Sequence, residues 1–356
     1  MRALLLSEYN HLEVKDLPAP VPGADEILIQ VSACGICGSD VHGYDGSTGR
    51  RIPPIVMGHE AAGIIVAVGS EVRNFKPGDR VTFDSTVYCD KCEYCLKGQV
   101  NLCNQRQVIG VSCKEFRRAG AFAEFLVVPA RIAYRLPDSF SFPQAAMLEA
   151  VSVALHGVAV AEMKGGETVL VIGAGMIGLL LLQAARAAGS SRVFVCDVDP
   201  TRLALAEKLG ADRTILASGV ALTEEILRET GDNGVDIVLE AVGREETIVA
   251  AIDCVRKGGT VSLVGNISPQ ITLPLQKVVS RQIRLQGSCA SAGEYQQAID
   301  LIANGKINVD LLITAVAPLS DGPAWFERLH AREPNLMKIV LDPRISSSAE
   351  LGGREP

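Results

Sequence analysis

The run Val169-Leu170-Val171-Ile172 leads without a break into Gly173-Ala174-Gly175-Met176-Ile177-Gly178, and an apolar stretch of helical character follows. A buried strand that turns through glycines into a helix leaves few folds open. The glycines permit a tight turn, a close approach of backbone to a pyrophosphate, and close packing of helix on strand. The helix N-terminus then offers amides and a positive dipole end to phosphate oxygens. Alone the pattern is weak, because a structural turn in another α/β protein can carry it. Context gives it weight: Arg192-Val193-Phe194-Val195-Cys196 reads as a second strand, with Asp197 at its end, 19 residues past Gly178. A carboxylate there accepts from both ribose hydroxyls and repels a 2′-phosphate, which favours NAD over NADP. Arg202, close by, works the other way, since a guanidinium attracts a phosphate.

The pattern repeats after Pro143. Strands are expected over Thr168 to Ile172, Arg192 to Cys196, Asp236 to Leu239 and Gly259 to Val264, with helices from about Met176, Pro200 and Glu245. Such alternation implies a doubly wound parallel sheet with helices on both faces, an α/β nucleotide-binding fold. Val242-Gly243, Val264-Gly265-Asn266 and Gly287-Ser288 follow strand ends, where the ligand of such a sheet lies, so Val242, Val264 and Ser288 join Met176 and Ile177 as candidate cofactor contacts. From Met1 to about Arg135 the chain instead alternates apolar and polar residues in short runs, such as Glu26 to Val31, Gly63 to Val68, Arg80 to Phe83 and Phe122 to Val128. Breakers such as Pro22-Gly23 and Pro77-Gly78 separate them, as in an antiparallel β domain. Beyond Ser288 come a helix near Glu294 to Ala303, a strand near Leu312 to Ala317, a helix near Ala324 to Arg332 and a strand Lys338 to Leu341. The boundaries expected are 1–154 for the β-rich domain, 155–291 for the nucleotide-binding domain and 292–356 for a segment that returns to complete the sheet edge and the first domain. The tail Ser346 to Pro356 is polar and expected to be disordered.

A length of 356 residues suits about two domains. The net charge of -7, with neither sign gathered into a block, argues against a nucleic-acid or anionic-membrane surface and leaves a small molecule as the default partner. The longest apolar stretch, Val169 to Ala188, is broken by three glycines and carries Gln183 and Arg186, so it is not a membrane span. The start MRALLLSEYN reads as a first strand rather than a signal peptide. Ten cysteines without a secretory signal point to the cytoplasm, where clustered thiols more often hold metal than pair.

Four of those cysteines, Cys89, Cys92, Cys95 and Cys103, lie within one short segment of a lobe at about 86–106. Four thiolates in one loop can surround Zn²⁺ tetrahedrally and leave no open position, so such a site folds a lobe and does no chemistry. Scattered or disulfide-paired cysteines are the bland alternative, and an iron–sulfur cluster also takes four thiolates.

A second constellation is Cys34-Gly35-Ile36-Cys37-Gly38-Ser39-Asp40-Val41-His42, followed by Gly58-His59-Glu60 and, much later, Leu148-Glu149-Ala150. Here the chain resembles the zinc-dependent medium-chain dehydrogenases, and within them the polyol (sorbitol-like) and threonine dehydrogenase branch. The resemblance spans nearly the whole chain, including the four-cysteine lobe, Gly120-Ala121-Phe122-Ala123-Glu124, the glycine fingerprint and the final Lys338-Ile339-Val340-Leu341. It implies a GroES-like catalytic domain beside a Rossmann domain, two zinc ions per subunit, and a homo-oligomer, dimer or tetramer. Cys37 and His59 would be ligands of a catalytic zinc, with Glu60 or Glu149 completing the set directly or through water. A thiolate, an imidazole and a carboxylate leave a position open, as a Lewis-acid site requires. Ser39 and His42 match the proton-relay positions of the alcohol branch. Asp40 is expected to brace the cysteine loop, and Lys338 to reach the zinc-side glutamate or a phosphate. Ala150 departs from the proline that many relatives carry after the glutamate.

The reading that results is oxidation of a secondary hydroxyl on a polyol or sugar alcohol. Sorbitol dehydrogenases tend to carry an Arg-Tyr pair where this chain has Ser288-Cys289-Ala290-Ser291, which counts against sorbitol and leaves other polyols, their phosphates, threonine and other secondary alcohols open. Tyr44 and Glu60 are pocket candidates. Arg50, Arg51, Lys114, Arg117 and Arg118 flank the motif loops and could meet a phosphate, though surface charge is the commoner explanation for each. Cys34 reads as buried filler, His11 and His156 as structural, and Cys113, Cys196, Cys254 and Cys289 as core or near-core residues. Two competing classes are a zinc- and NAD(H)-binding sensor without turnover, and a zinc-free quinone reductase of the same superfamily. The first has no need of an open metal site, and the second should lack both metal sets.

Overall fold

The computed structural model describes residues 1–345; the tail beyond, expected above to be disordered, lies outside the described residues. The chain forms two compact units, Met1–Glu149 together with the segment from Val309 onward, and Ala150–Asn308.

In the first unit the strand Glu26–Gly35 is the hub. Its alternating apolar residues are buried, and it pairs antiparallel with Glu60–Val68 along most of its length, with Phe125–Pro129 at its start and with Lys338–Asp342 at its end. Arg80–Phe83 and Ala133–Arg135 extend the sheet on one side and Ile313–Pro318 on the other. A smaller sheet of Arg2–Glu8, His11–Asp16 and Ile55–Val56 packs its apolar residues into the same core. The pairing of the Glu26–Gly35 and Glu60–Val68 strands sets the register Cys34 with Ala61 and Gly35 with Glu60, so both motif loops leave the sheet at one end.

The second unit is a six-stranded parallel sheet in the order Arg213–Leu216, Arg192–Asp197, Thr168–Ile172, Val235–Glu240, Val255–Leu263, Arg284–Gly287. The order reverses between Thr168–Ile172 and Val235–Glu240, and the ligand crevice of such a sheet lies outside the carboxyl ends of its strands at that point. The β-branched central strands are buried on both faces, as parallel strands covered by helices must be.

The division between units differs from the expected boundaries. It falls after Glu149 rather than 154, and the second unit runs to Asn308 rather than 291. The reason lies in polar ties: Glu294, just before the helix Tyr295–Ala303, meets His156 Nδ1 at 2.7 Å, and Gln183 accepts from Asn308 N at 2.6 Å. That helix therefore belongs to the nucleotide-binding unit. Beyond it, among the described residues, Ile313–Pro318 and Lys338–Asp342 are the strands that return to the sheet of the first unit. Among the described residues no helix is long and apolar enough to cross a membrane.

Candidate metal and cofactor sites

In the four-cysteine lobe the sulfurs of Cys89, Cys92, Cys95 and Cys103 all lie within 4.8 Å of one another. Two separations are 3.9 Å, Cys89 to Cys95, and 3.5 Å, Cys92 to Cys95. A disulfide holds its sulfurs at about 2 Å. Four thiolates at ~2.3 Å from one zinc ion sit ~3.8 Å apart at the corners of a tetrahedron. An iron–sulfur cluster spreads its thiolates over two or more irons and would hold them further apart. Backbone amides of Cys89 and Gln105 donate to Cys103 Sγ, both at 3.3 Å, as neutral donors do around a thiolate. Amides of Cys95 and Asn104 bring the Cys92 thiol down to about 6, while burial pushes Cys95 up to about 12. A dication would deprotonate both. The donor set fits zinc.

The second cluster joins Cys37 Sγ, His59 and Glu60, whose ligand atoms also lie within 4.8 Å of one another. Cys37 caps the seven-residue helix Gly38–Tyr44. His59 and Glu60 stand where the strand Glu60–Val68 begins. Gly58 before them has φ +92°, in the left-handed region, and a Cβ there would come 2.8 Å from Cys34 Sγ, so only glycine fits. Gly35 leaves the space that Glu60 fills, since a Cβ on it would lie 2.4 Å from Glu60 Oε2.

Three buried charged groups, Asp40, Arg51 and Lys338, hold these donors. Asp40, wholly buried, accepts from Cys37 N at 3.3 Å, contacts Arg51 Nη2 at 3.1 Å, and lies 3.3 Å from His59 Nδ1. Burial alone would raise the Asp40 pKa, but His59 and Arg51 outweigh it and bring it to about 2. With Nδ1 turned to Asp40, Nε2 is the His59 nitrogen left for a metal, the usual orientation of a carboxylate-braced ligand. Lys338 Nζ lies 2.5 Å from Glu60 Oε2 and donates to Ile36 O at 3.2 Å, so it does reach the metal-side glutamate. Glu149 is not one of the three clustered donors. It accepts from Ser85 Oγ at 3.4 Å, and burial pushes its carboxyl up to about 7, with His59 and Lys338 pulling down and Glu60 and Asp40 pushing up. The thiolate, imidazole and carboxylate fit a catalytic zinc with one position open.

Ser39 and His42 sit three apart on the helix Gly38–Tyr44, both exposed and on one face. Ser39 Oγ accepts from Arg51 Nη2 at 3.4 Å. Three expectations need correcting. Tyr44 is core, because its hydroxyl donates to Asn10 O at 2.8 Å and its ring packs on Phe326 and His330. Arg51 is not a surface charge: it is buried against Asp40, a role that no spacing rule marks. Cys289 is exposed, whereas Cys34, Cys196 and Cys254 are buried as expected. Arg50, Lys114 and Arg117 are exposed, and half-buried Arg118 donates to Gln107 Oε1.

In the second unit the glycine turn has the spacing its motif requires. A Cβ on Gly178 would lie 1.7 Å from Gly173 O, so the helix Met176–Ala187 packs directly on the turn. Gly175, its N-cap, faces open space, with nothing beyond its own chain neighbours within 4 Å of where a Cβ would stand. That opening at a helix N-terminus is the cradle a pyrophosphate needs. Asp197 Oδ2 accepts from Ala174 N at 2.6 Å and Oδ1 from Asp199 N at 2.9 Å, tying the second strand end to the turn. Each oxygen keeps a lone pair for a ribose hydroxyl. Arg202 lies 3.5 Å from Asp199 and 3.9 Å from Asp197. Val242 packs over Gly173, and Ser288 N donates to Leu263 O at 2.9 Å. The residues fit a dinucleotide.

A closed four-thiolate site, an open site of mixed donors and a doubly wound sheet with a dinucleotide turn together define a metal-dependent dehydrogenase. Residues 23–138 match the alcohol dehydrogenase GroES-like domain and residues 177–304 the zinc-binding dehydrogenase domain. The sorbitol dehydrogenase of Bacillus subtilis is 34% identical over 96% of this chain and 97% of its own. The D-xylulose reductase A of Aspergillus oryzae is 34% identical over 92% of this chain and 93% of its own. A solved zinc-binding dehydrogenase of Sinorhizobium meliloti, bound to NADP, superposes with a TM-score of 0.86 at 32% identity, covering 96% of this chain and 99% of that one. The chain belongs to the zinc-dependent medium-chain dehydrogenase family and is an alcohol/polyol dehydrogenase of the NAD(P)-dependent kind.

Proposed function

We propose that this enzyme oxidises a secondary hydroxyl of a polyol or sugar alcohol to the ketone, with NAD as hydride acceptor. The observation that carries the reading is the meeting of a thiolate, an imidazole and a carboxylate from Cys37, His59 and Glu60 within 4.8 Å, inside a frame of buried charges. Cys37, His59 and Glu60 would hold a zinc ion, which would supply Lewis-acid polarisation of the substrate hydroxyl and a lowered pKa there. Asp40 fixes the His59 ring, and Lys338 balances the charge of Glu60, so Glu60 or Glu149 can complete the donor set. Ser39 takes the substrate proton and His42 delivers it to solvent; their exposure on one helix face supports this path. NAD held at the glycine turn Gly173 to Gly178 would supply the acceptor for the hydride of the carbinol carbon. Asp197 at the end of its strand supports NAD, since its carboxylate repels a 2′-phosphate. The names of the sorbitol and xylulose relatives support a polyol.

The same reading includes a homo-oligomer in the cytoplasm. Ile267, Leu273, Leu275 and Val279 stand exposed in the segment that leads to the edge strand Arg284–Gly287, and exposed apolar residues beside a free strand edge are suited to a second subunit. Both metal sites need reduced thiols, which the cytoplasm maintains. One screen tests the reading: reduction of NAD⁺ and NADP⁺ against polyols, polyol phosphates, threonine and simple alcohols, with and without a chelator. Chelator-sensitive reduction of NAD⁺ by at least one vicinal diol is expected. A zinc-loaded, NAD-binding protein inert towards every substrate would instead be a sensor.

A further inference from the structure

Glu240 ends the strand Val235–Glu240, is fully buried, and has no part in the reaction above. Its carboxylate turns back on the chain that follows. Oε1 accepts from Val242 N and Gly243 N, both at 2.9 Å, and Oε2 accepts from Gly243 N at 3.0 Å. Its carbonyl accepts from Val264 N and Gly265 N, both at 2.9 Å, and the next amide, Ala241 N, donates to Ile172 O at 2.9 Å. One residue thus ties together the loops leaving three adjacent strands, Thr168–Ile172, Val235–Glu240 and Val255–Leu263.

Those loops meet backbone to backbone. A Cβ on Gly243 would lie 2.2 Å from Asn266 N, and one on Gly265 would lie 2.2 Å from Gly243 N. A Cβ on Gly173 would lie 2.6 Å from the Val242 side chain, so the glycine turn shares the same packing. No basic side chain pairs with Glu240 among the described residues, and burial pushes its pKa up against the pull of the Gly243 amide, Thr247 and the Val242 amide. Burying a carboxylate without a cation opposes folding. Packing alone is served as well by a neutral side chain. Two acceptor oxygens at the switch point of the sheet are served only by a carboxylate.

We propose that Glu240 is a positioning residue for the dinucleotide: its carboxylate presets the loop Ala241 to Gly243, and through it the 264–266 loop, in the shape the cofactor meets. The inference rests on the dinucleotide reading of this unit. A preset loop spares the cofactor the ordering free energy that a mobile one would take from binding. Glu240→Gln keeps the size and one oxygen but turns an amide donor on Gly243 N. The lost bond raises the NAD⁺ dissociation constant about tenfold, the equivalent of ~1.4 kcal/mol.

The test is NAD⁺ titration of the zinc-loaded enzyme and of Glu240→Gln and Glu240→Met, with thermal melting and steady-state KM values alongside. The dissociation constant and KM for NAD⁺ are expected to rise together, more in Met than in Gln, while zinc content and the KM for the alcohol stay put. A folded Glu240→Gln that binds NAD⁺ as the parent does overturns the proposal, and so does a lowered melting temperature with unchanged affinity. If Glu240→Met fails to fold, Glu240→Gln alone decides. A parent enzyme that binds no dinucleotide brings down the cofactor reading as well, so the two failures are distinct.

Discussion

Asp40 shares one buried carboxylate between a guanidinium and an imidazole. It meets Arg51 at 3.1 Å and His59 Nδ1 at 3.3 Å, and all three side chains are removed from solvent. A pair of this kind adds little net stability, because desolvation offsets attraction, yet breaking it strands a charge. Asp40→Asn should therefore cost about 3–5 kcal/mol in a denaturant titration, the usual penalty for an uncompensated buried ion. Because the folded Asp40 pKa is depressed to about 2, its contribution is complete above its ordinary value of 3.8 and is lost as pH falls towards 2. The acid side of the stability profile should flatten in the Asn variant. The candidate donors Cys37, His59 and Glu60 were legible in the sequence because they fall in short motifs that carry the family resemblance. Arg51 was not, because nothing local separates an arginine buried by a distant carboxylate from one on the surface. Tyr44 misled for a related reason: its hydroxyl is satisfied by Asn10, a contact no motif encodes.

At the scale of elements, the last two glycines of the dinucleotide turn have different tasks. Gly178 lets the helix Met176–Ala187 rest on the turn, with 1.7 Å between a would-be Cβ and Gly173 O. Gly175 leaves space above the helix N-terminus. Gly178→Ala should lose soluble protein or melt well below the parent. Gly175→Ala should melt as the parent does and bind NAD⁺ at least tenfold more weakly, about 1.4 kcal/mol, because the methyl takes the place of a phosphate oxygen. Equal losses of stability in both would contradict this division. The β-branched central strands were readable to within a residue or two, since burial on both faces leaves long apolar runs. The strand Arg213–Leu216 and the helix Gly219–Glu229 were not anticipated. That strand sits at the sheet edge with a single buried residue, so it carries no apolar run to recognise.

Over the whole molecule, the chain leaves its first unit after Glu149 and re-enters it at Val309, so residues more than 270 apart in sequence share one site: Glu60 and Lys338. The broad architecture and the four-cysteine set could be read from pattern and spacing, and the Cys37, His59 and Glu60 set from the family resemblance, but the point of return could not, because His156–Glu294 and Gln183–Asn308 are long-range ties. The two candidate metal sites offer different donor sets, four thiolates in one and a thiolate, an imidazole and a carboxylate in the other, and on the proposed reading only the second leaves a position open. Cys95→Ser should accordingly lose soluble protein, as a structural zinc contributes folding free energy directly. Cys37→Ser should fold, bind NAD⁺ and retain the other zinc. Its turnover is the most direct test of the central claim: polyol-dependent NADH formation by a Cys37→Ser protein of verified metal content. A fall of about a thousandfold or more, the worth of several kcal/mol of Lewis-acid stabilisation, is the predicted result. Turnover at the parent rate would contradict it.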